Sequence, residues 1–566
     1  MHELLRSNLN FFWGGVIAET LSQCGIKHVI ISPGSRSAPL TTGFALNEKI
    51  KTTPVLDERS AAFYALGLAK ASGLPVALIC TSGTAAANYL PAVIEARYAR
   101  VPLIILTADR PPELRDCAAG QAIDQQKLFG DYIHWYHELA LPNRALLPYM
   151  QKSLQQAWRK SLGCGGPVHL NIPFRDPLAP VVDGETWELS DDAIRAVHKE
   201  TFSKRNVDLD SILADQSSVS RGLVIAGPDI STAPKKYARG VLNLAKALGW
   251  PILADTLSPM RHHGRMDEWV IAHYDCVLRD LELSDTLKPS AVIQIGPLPT
   301  CKVLRKWLSD LNVPTSIISL SLDNLDPLHR PANYIQASPN DFATHEVEPK
   351  RSDFLEIWLN ENRKVAERFE SAFGACDELF EGKISWLLEK HLPENTPVFV
   401  ASSMPVRDVE FFWPANDKHF RFAANRGANG IDGTLSSAMG YVEGCGQPGV
   451  LLTGDLAFLH DQNGLLMAPE FEGSLTVIVI NNNGGGIFEK LEISKFDPPF
   501  EQYFATPQNV DLAQISASHN LRHSAPTNWD AFISEIKSLP ESGIRIIELK
   551  TNRKEDMAFR QKLFKK

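Results

Sequence analysis

LLTGDLAFLHDQNGLLMAPEFEGSLTVIVINNNGGGIF, residues 451–488, decides how the rest of the chain is read. It reads as a buried strand over 450–453, a Gly-Asp turn, a helix, a second buried strand over 476–480, and a loop of three asparagines and three glycines. A Gly-Asp at one strand end and an Asn- and Gly-rich loop at the next suit a divalent cation that carries a diphosphate. The Asp455 carboxylate and the Asn482 amide oxygen are hard ligands of the kind Mg²⁺ prefers; phosphate oxygens, water and a backbone carbonyl complete its octahedron. Gly484, Gly485 and Gly486 let backbone N–H groups approach a phosphate with no side chain in the way. Gly-Asp alone is common in loops, so the conjunction with NNNGGG carries the reading.

Outward from this stretch the same alternation recurs. At 566 residues the chain has room for about three to four domains, each with its own core. Apolar runs at 28–32, 76–80, 103–108 and 168–172, with helical patterns between them, predict a first parallel sheet covered on both faces. Runs at 222–230, 251–258, 291–299 and 315–323 predict a second α/β unit; GLVIAGP lacks GxGxxG, so no dinucleotide is assigned to it. Strands at 398–401, 450–453, 476–480 and 545–549 predict a third. The expected fold class is α/β, three doubly wound domains with parallel sheets. The expected domains are 1–185, 195–345 and 365–566, with polar stretches at about 180–218 and 340–375 between them.

In such folds ligands sit at the carboxyl ends of the strands, and the loops there hold the reactive side chains. SPGSRSAP (32–39) presents Ser35 and Arg36, and the ADRP turn presents Arg110 at the same predicted sheet edge. Two guanidinium groups at one cleft suit a carboxylated substrate, although each also suits a local ion pair. Gln121 either hydrogen-bonds a reacting oxygen or closes a turn. Lys302 follows a strand of the second unit, and Arg407 and Arg426 lie near strand ends of the third. Glu58 opens an Ala- and Leu-rich helix, where a carboxylate also complements the helix dipole.

Composition narrows the classes. A net charge of −9, without basic blocks apart from the short tail at 562–566, argues against nucleic acid or an anionic membrane as partner. Eight cysteines are scattered without a CxxC pair, which fits reduced thiols. The N-terminus lacks a long apolar signal core, and no run approaches the ~18 residues of a membrane span. The expectation is a cytoplasmic protein.

The motifs SPGSRSAPL, DERSAAFYALGLAKASG, CTSGTAAANYLPAVIEA, LTADRPPEL, GQAIDQQ, NRGANGIDG, TGDLAFLHDQNGLL and NNNGGGIF resemble those of thiamine-diphosphate enzymes. The wider group comprises decarboxylases and acetolactate synthases; the closest match within it is the branch of menaquinone and phylloquinone biosynthesis, which has GDL where many members have GDG. The resemblance implies a pyrimidine-binding, a central and a diphosphate-binding domain. It also implies a homodimer, with dimers pairing into tetramers in many members. It implies thiamine diphosphate and Mg²⁺, with Mn²⁺ as the alternative, and the substrates 2-oxoglutarate and isochorismate. Carried over by motif, Glu58 activates the cofactor at its aminopyrimidine, and Asp455, Asn482 and the Gly484 carbonyl hold the metal. Ser35, Arg36, Gln121, Ser403 and Arg407 act in catalysis, while Arg110, Lys302, Arg426, Ile487 and Phe488 contact substrate. Gly83, Ser403, Met404, Ile431, Gly454, Leu456, Ala457, Gly485 and Ile487 line the cofactor, with Ile431 as the apolar wedge between its rings. The rival reading is another 2-oxoacid decarboxylase or an acetolactate synthase, which shares Glu58, Asp455 and Asn482 without needing so many arginines.

Overall fold

Continuous apolar runs become the inner strands of three six-stranded sheets, and their paired strands run parallel. The computed structural model describes residues 2–187, 209–216, 218–263 and 268–564. Much of the polar stretch expected near 180–218 therefore lies outside the described residues, as do 565 and 566 of the basic tail.

The first sheet holds β1 (His28–Ile31), β2 (Lys51–Pro54), β3 (Val76–Cys80), β4 (Leu103–Asp109), β5 (Trp135–Glu138) and β6 (Pro167–Pro173), in the order β2-β1-β3-β4-β6-β5. The second holds β7 (Gly222–Ala226), β8 (Ile252–Ala254), β9 (Val270–Ile271), β10 (Ala291–Ile295), β11 (Thr315–Ile318) and β12 (Ala332–Ile335), in the order β12-β11-β10-β7-β8-β9. The third holds β13 (Pro397–Val400), β14 (Arg421–Ala423), β15 (Gly449–Gly454), β16 (Ser474–Asn481), β17 (Arg522–Ser524) and β18 (Gly543–Lys550), in the order β14-β13-β15-β16-β18-β17. Three doubly wound parallel sheets are the fold class read from the sequence.

The strands missing from the sequence reading are β2, β5, β9, β12, β14 and β17, and every one is a sheet edge. Inner strands bury both faces and so read as near-continuous apolar runs, as in β3, VALIC, buried throughout. An edge strand such as β12, ANYI, is half-exposed, and β9 is two residues long, so neither leaves a periodic signal.

Each sheet has a central reversal of strand order, which leaves a crevice at the strand carboxyl ends. In the first sheet the reversal lies between β1 and β3, and the loops that follow them touch: a Cβ on Gly34 would lie 2.2 Å from Cβ of Thr81. In the second it lies between β7 and β10, where a Cβ on Gly227 would lie 1.6 Å from the carbonyl oxygen of Pro297. In the third it lies between β13 and β15, the strands that run into Ser403 and Asp455.

The chain forms two compact units. One comprises Met1–Phe202, Asn425–Gly446 and Ala457–Ser474; the other comprises Ser203–Ala424, Gln447–Leu456 and Leu475–Lys566. In the first, the helices Glu58–Ser72 and Thr434–Cys445 meet backbone to backbone. A Cβ on Gly440 would lie 2.0 Å from the Tyr64 carbonyl oxygen, and one on Gly67 2.1 Å from that of Ser437. No helix among the described residues is long and apolar enough to cross a membrane, and all eight cysteines are free.

Candidate active site

In the first unit Asp57 caps the helix Glu58–Ser72, its carboxylate accepting the Ser60 N–H at 3.1 Å, so Glu58 is the first helical residue. Its neighbours are tied down: Asn463 Nδ2 donates to Asp57 at 2.9 Å, and Arg59 donates to the His460 carbonyl at 3.1 Å. The Glu58 side chain is half-buried and makes no hydrogen bond or ion pair among the described residues. Gly433, at φ +62°, would place a Cβ 1.9 Å from the Phe63 ring, so the 425–433 loop closes on this same helix. A buried carboxylate holds that loop: Glu95 accepts the Gly427 and Ala428 N–H groups at 2.9 and 2.7 Å. Arg426 and Ile431, both half-buried, ride on the loop so fixed.

At the β1–β3 crevice Arg36 is 5% exposed, donates to the Phe174 carbonyl at 3.0 Å, and lies 3.5 Å from Asp176. Burial, with help from the neighbouring Arg110 charge, holds its guanidinium below the usual arginine range. Arg110 donates twice to the Gly120 carbonyl, at 3.2 and 2.8 Å. The two arginines thus share one sheet edge, while Ser35 stands exposed beside them. Gly83, at φ +90°, donates its N–H to Gln125 at 2.8 Å. Gln121 closes a turn, donating to the Ser82 carbonyl at 3.0 Å and accepting the Ser82 hydroxyl at its own carbonyl, also at 3.0 Å.

The second unit holds the Gly-Asp and NNNGGG loops. Asp455 directly follows β15 and is 6% exposed; its oxygens accept the Leu456 and Gly484 N–H groups, each at 2.8 Å. Burial pushes its carboxyl up to about 6, against the backbone N–H groups that favour its charged form. Asn482 donates Nδ2 to Glu381 at 2.7 Å, and its Oδ1 is buried without a partner. Gly484 has φ +140°, and a Cβ there would lie 2.4 Å from the Ala505 carbonyl oxygen; a Cβ on Gly485 would strike the Phe488 ring at 2.6 Å. No side chain fits in that cradle. Gly454 and Leu456 flank Asp455 half-buried, and Ala457 is buried. Ile487 and Phe488 follow on a short 3₁₀ turn.

Ser403, at φ +74°, starts the helix Met404–Phe412, and its carbonyl accepts the Arg407 guanidinium. A non-glycine residue in that region is held there by its surroundings. Burial lowers the Arg407 guanidinium below its usual range. Lys302, exposed at the start of the helix Lys302–Ser309, makes no hydrogen bond or ion pair with another candidate residue.

Residues 13–128 match the family model described as thiamine pyrophosphate enzyme, N-terminal TPP binding domain; residues 199–400 match the one described as middle domain of thiamine pyrophosphate. Curated relatives named 2-succinyl-5-enolpyruvyl-6-hydroxy-3-cyclohexene-1-carboxylate synthase align along nearly the whole chain. The one from Trichormus variabilis is 47% identical over 98% of this chain and 97% of its own length. That from Nostoc sp. is 46% identical over 98% and 97%, and that from Acaryochloris marina 47% identical over 99% and 98%. The chain belongs to the 2-succinyl-5-enolpyruvyl-6-hydroxy-3-cyclohexene-1-carboxylate synthase family. It is a thiamine-diphosphate enzyme.

The geometry fits the synthase family's cofactor. Asn482 Oδ1 is a buried acceptor with no partner among the described residues, Asp455 is a buried carboxyl that adds a second hard oxygen donor, and the 484–485 turn leaves space no Cβ could share. Sequence reasoning missed the residues that hold these candidate loops within each unit. Glu381 holds Asn482, Glu95 with Lys70 holds the 425–433 loop, and Arg560 ties Asp408 to Asp556 beneath the Ser403 helix. Lys70 and Glu95 stand inside the quoted motifs 57–73 and 80–96 but on their helices, away from the turns, and Glu381, Asp556 and Arg560 lie outside every quoted motif, so no local signal marked their roles.

Proposed function

We propose that this chain decarboxylates 2-oxoglutarate and adds the remaining four-carbon unit to isochorismate, giving the product for which its relatives are named, plus CO₂, in menaquinone or phylloquinone biosynthesis. When bound, thiamine diphosphate supplies a nucleophilic carbon that attacks the ketone of the 2-oxo acid and accepts the electrons left as CO₂ departs. Glu58 shares a proton with the cofactor's aminopyrimidine ring, which suits a half-buried carboxylate without a partner of its own. Ile431 sets the bend between the cofactor's rings, on a loop clamped by Glu95. Asp455, Asn482 Oδ1 and the Gly484 carbonyl hold Mg²⁺, or Mn²⁺ in its place; the donors are all oxygen and one lies buried and unpartnered.

Both substrates carry carboxylates. Arg36 and Arg110 at one crevice, together with Arg407, Arg426 and Lys302, orient them, because guanidinium groups bind carboxylates in a fixed bidentate geometry. Gln121 and Ser403 position the reacting oxygens, while Ile487 and Phe488 exclude water beside them. The functional domains are 1–185, 195–345 and 365–566, the active unit is a homodimer, and the eight free thiols suit the cytoplasm.

The observation that carries this reading is 47% identity, over 98% of the chain, to a relative of that name. The test is loss of isochorismate absorbance when purified protein receives thiamine diphosphate, Mg²⁺, 2-oxoglutarate and isochorismate, with pyruvate in place of 2-oxoglutarate as the control. Consumption only with 2-oxoglutarate is expected. CO₂ release from another 2-oxo acid without isochorismate loss would overturn the assignment in favour of a simple decarboxylase.

A further inference from the structure

We propose that Glu381 is a positioning residue that orients the Asn482 amide, so that its oxygen rather than its NH₂ faces the metal; this rests on the metal reading above. A primary amide has two nearly isosteric ends, and only its partners decide which points where. Here the NH₂ is claimed. Asn482 Nδ2 donates to Glu381 Oε1 at 2.7 Å, and the opposite end, Oδ1, is left buried with no partner. A flipped amide would set oxygen against carboxylate oxygen at that distance and aim N–H donors at a cation. Gly486 keeps this side clear, since a Cβ there would lie 2.8 Å from Asn482 Nδ2.

Glu381 is itself fixed. It is 2% exposed and opens the helix Glu381–His391. Its Oε1 also accepts the Thr551 hydroxyl at 3.2 Å, and its backbone N–H donates to Asp556 at 3.0 Å. Asp556 is held by Arg560, at 2.9 and 3.2 Å, and the same guanidinium binds Asp408 on the helix that begins at Met404. The acceptor that sets the amide is therefore anchored to the 551–560 stretch and, through Arg560, to the helix that begins at Met404, and does not follow the amide if it turns.

The test is Mn²⁺ binding to the full chain at saturating thiamine diphosphate, read by loss of the free Mn²⁺ electron paramagnetic resonance signal. E381Q keeps Oε1 and is expected to hold Mn²⁺ within about threefold of the wild type, whereas E381L, which removes the acceptor, loses roughly ten- to a hundredfold in affinity. N482D sets carboxylate against carboxylate and weakens binding. The exchange N482D/E381Q restores a donor and an acceptor in reversed roles, and it regains about tenfold over N482D. E381L binding like the wild type would overturn the proposal. So would E381Q as weak as E381L, since the isosteric amide keeps both packing and acceptor and only the charge would then matter, or an exchange that regains nothing, since the pairing would then not set the amide. If E381L fails to fold, E381Q and the exchange decide. A wild type that binds no Mn²⁺ would instead overturn the metal reading and this proposal with it.

Discussion

Replacing Lys70 by methionine should destabilise the first unit by about 3 kcal/mol. Lys70 is 2% exposed; its ammonium lies 3.3 Å from Glu95 Oε1 and donates to Asn425 Oδ1 at 2.7 Å. Burial lowers the ammonium below the usual lysine range, and the Glu95 charge opposes that shift. Methionine keeps the length and bulk of the stem, so no cavity opens; what is lost is the cation beside a 3% exposed carboxylate. Removing one partner of a buried pair costs about 3–5 kcal/mol. Glu95 keeps two backbone N–H donors, which places the cost at the lower end. For a unit of roughly 200 residues that corresponds to a midpoint lower by about 6–12 °C. Thermal and urea unfolding of K70M, E95Q and K70M/E95Q should give a coupling of about 1 kcal/mol or more, because the two residues share one contact. A K70M midpoint within about 1 kcal/mol of the wild type at unchanged urea dependence would refute the reasoning.

E58Q should retain thiamine diphosphate binding by calorimetric titration while turnover falls on the order of 10²-fold or more; near-normal turnover would remove the role given to Glu58. G440A, which drives a Cβ to within 2.0 Å of the Tyr64 carbonyl oxygen, should cost about 3 kcal/mol in unfolding experiments. G374A, which meets nothing within 4 Å at a helix end, should be neutral or stabilise by about 0.5 kcal/mol, and equal effects of the two would contradict the close helix contact. Burial pushes the His169 imidazole down to about 3, below its ordinary 6.5. Its stabilising contribution is therefore complete above pH 6.5 and is lost as the pH falls toward 3, at about 1.4 kcal/mol per pH unit. H169Q should flatten the acid limb of stability between pH 6 and 4 by about that slope, and an unchanged limb would show that His169 titrates normally.

The inner strands were legible because a strand covered on both faces has to be apolar at every position. VALIC (76–80) and LTVIVI (475–480) announce themselves on that ground alone. The edge strands, among them KTTP (51–54) and RHS (522–524), were not, since half-exposed or three-residue strands have no pattern to repeat. The same contrast divides the site. Asp455, Asn482 and the glycines at 484–486 stand in loops whose composition states their chemistry. Gln121 was legible as either a partner for a reacting oxygen or a turn closure, but its meeting with Ser82, 39 positions earlier, was not.

What the sequence by itself determined is the set of inner strands, the glycine-rich crevices at their ends and the diphosphate motif, all written in residues close together along the chain. Only the tertiary structure decided which way the Asn482 amide faces, since its partner Glu381 lies 101 residues away. The same holds for the 425–433 loop, whose clamp residue Glu95 is 332 residues from Gly427. A buried polar side chain draws its meaning from its partner, and local periodicity carries no record of a partner so distant.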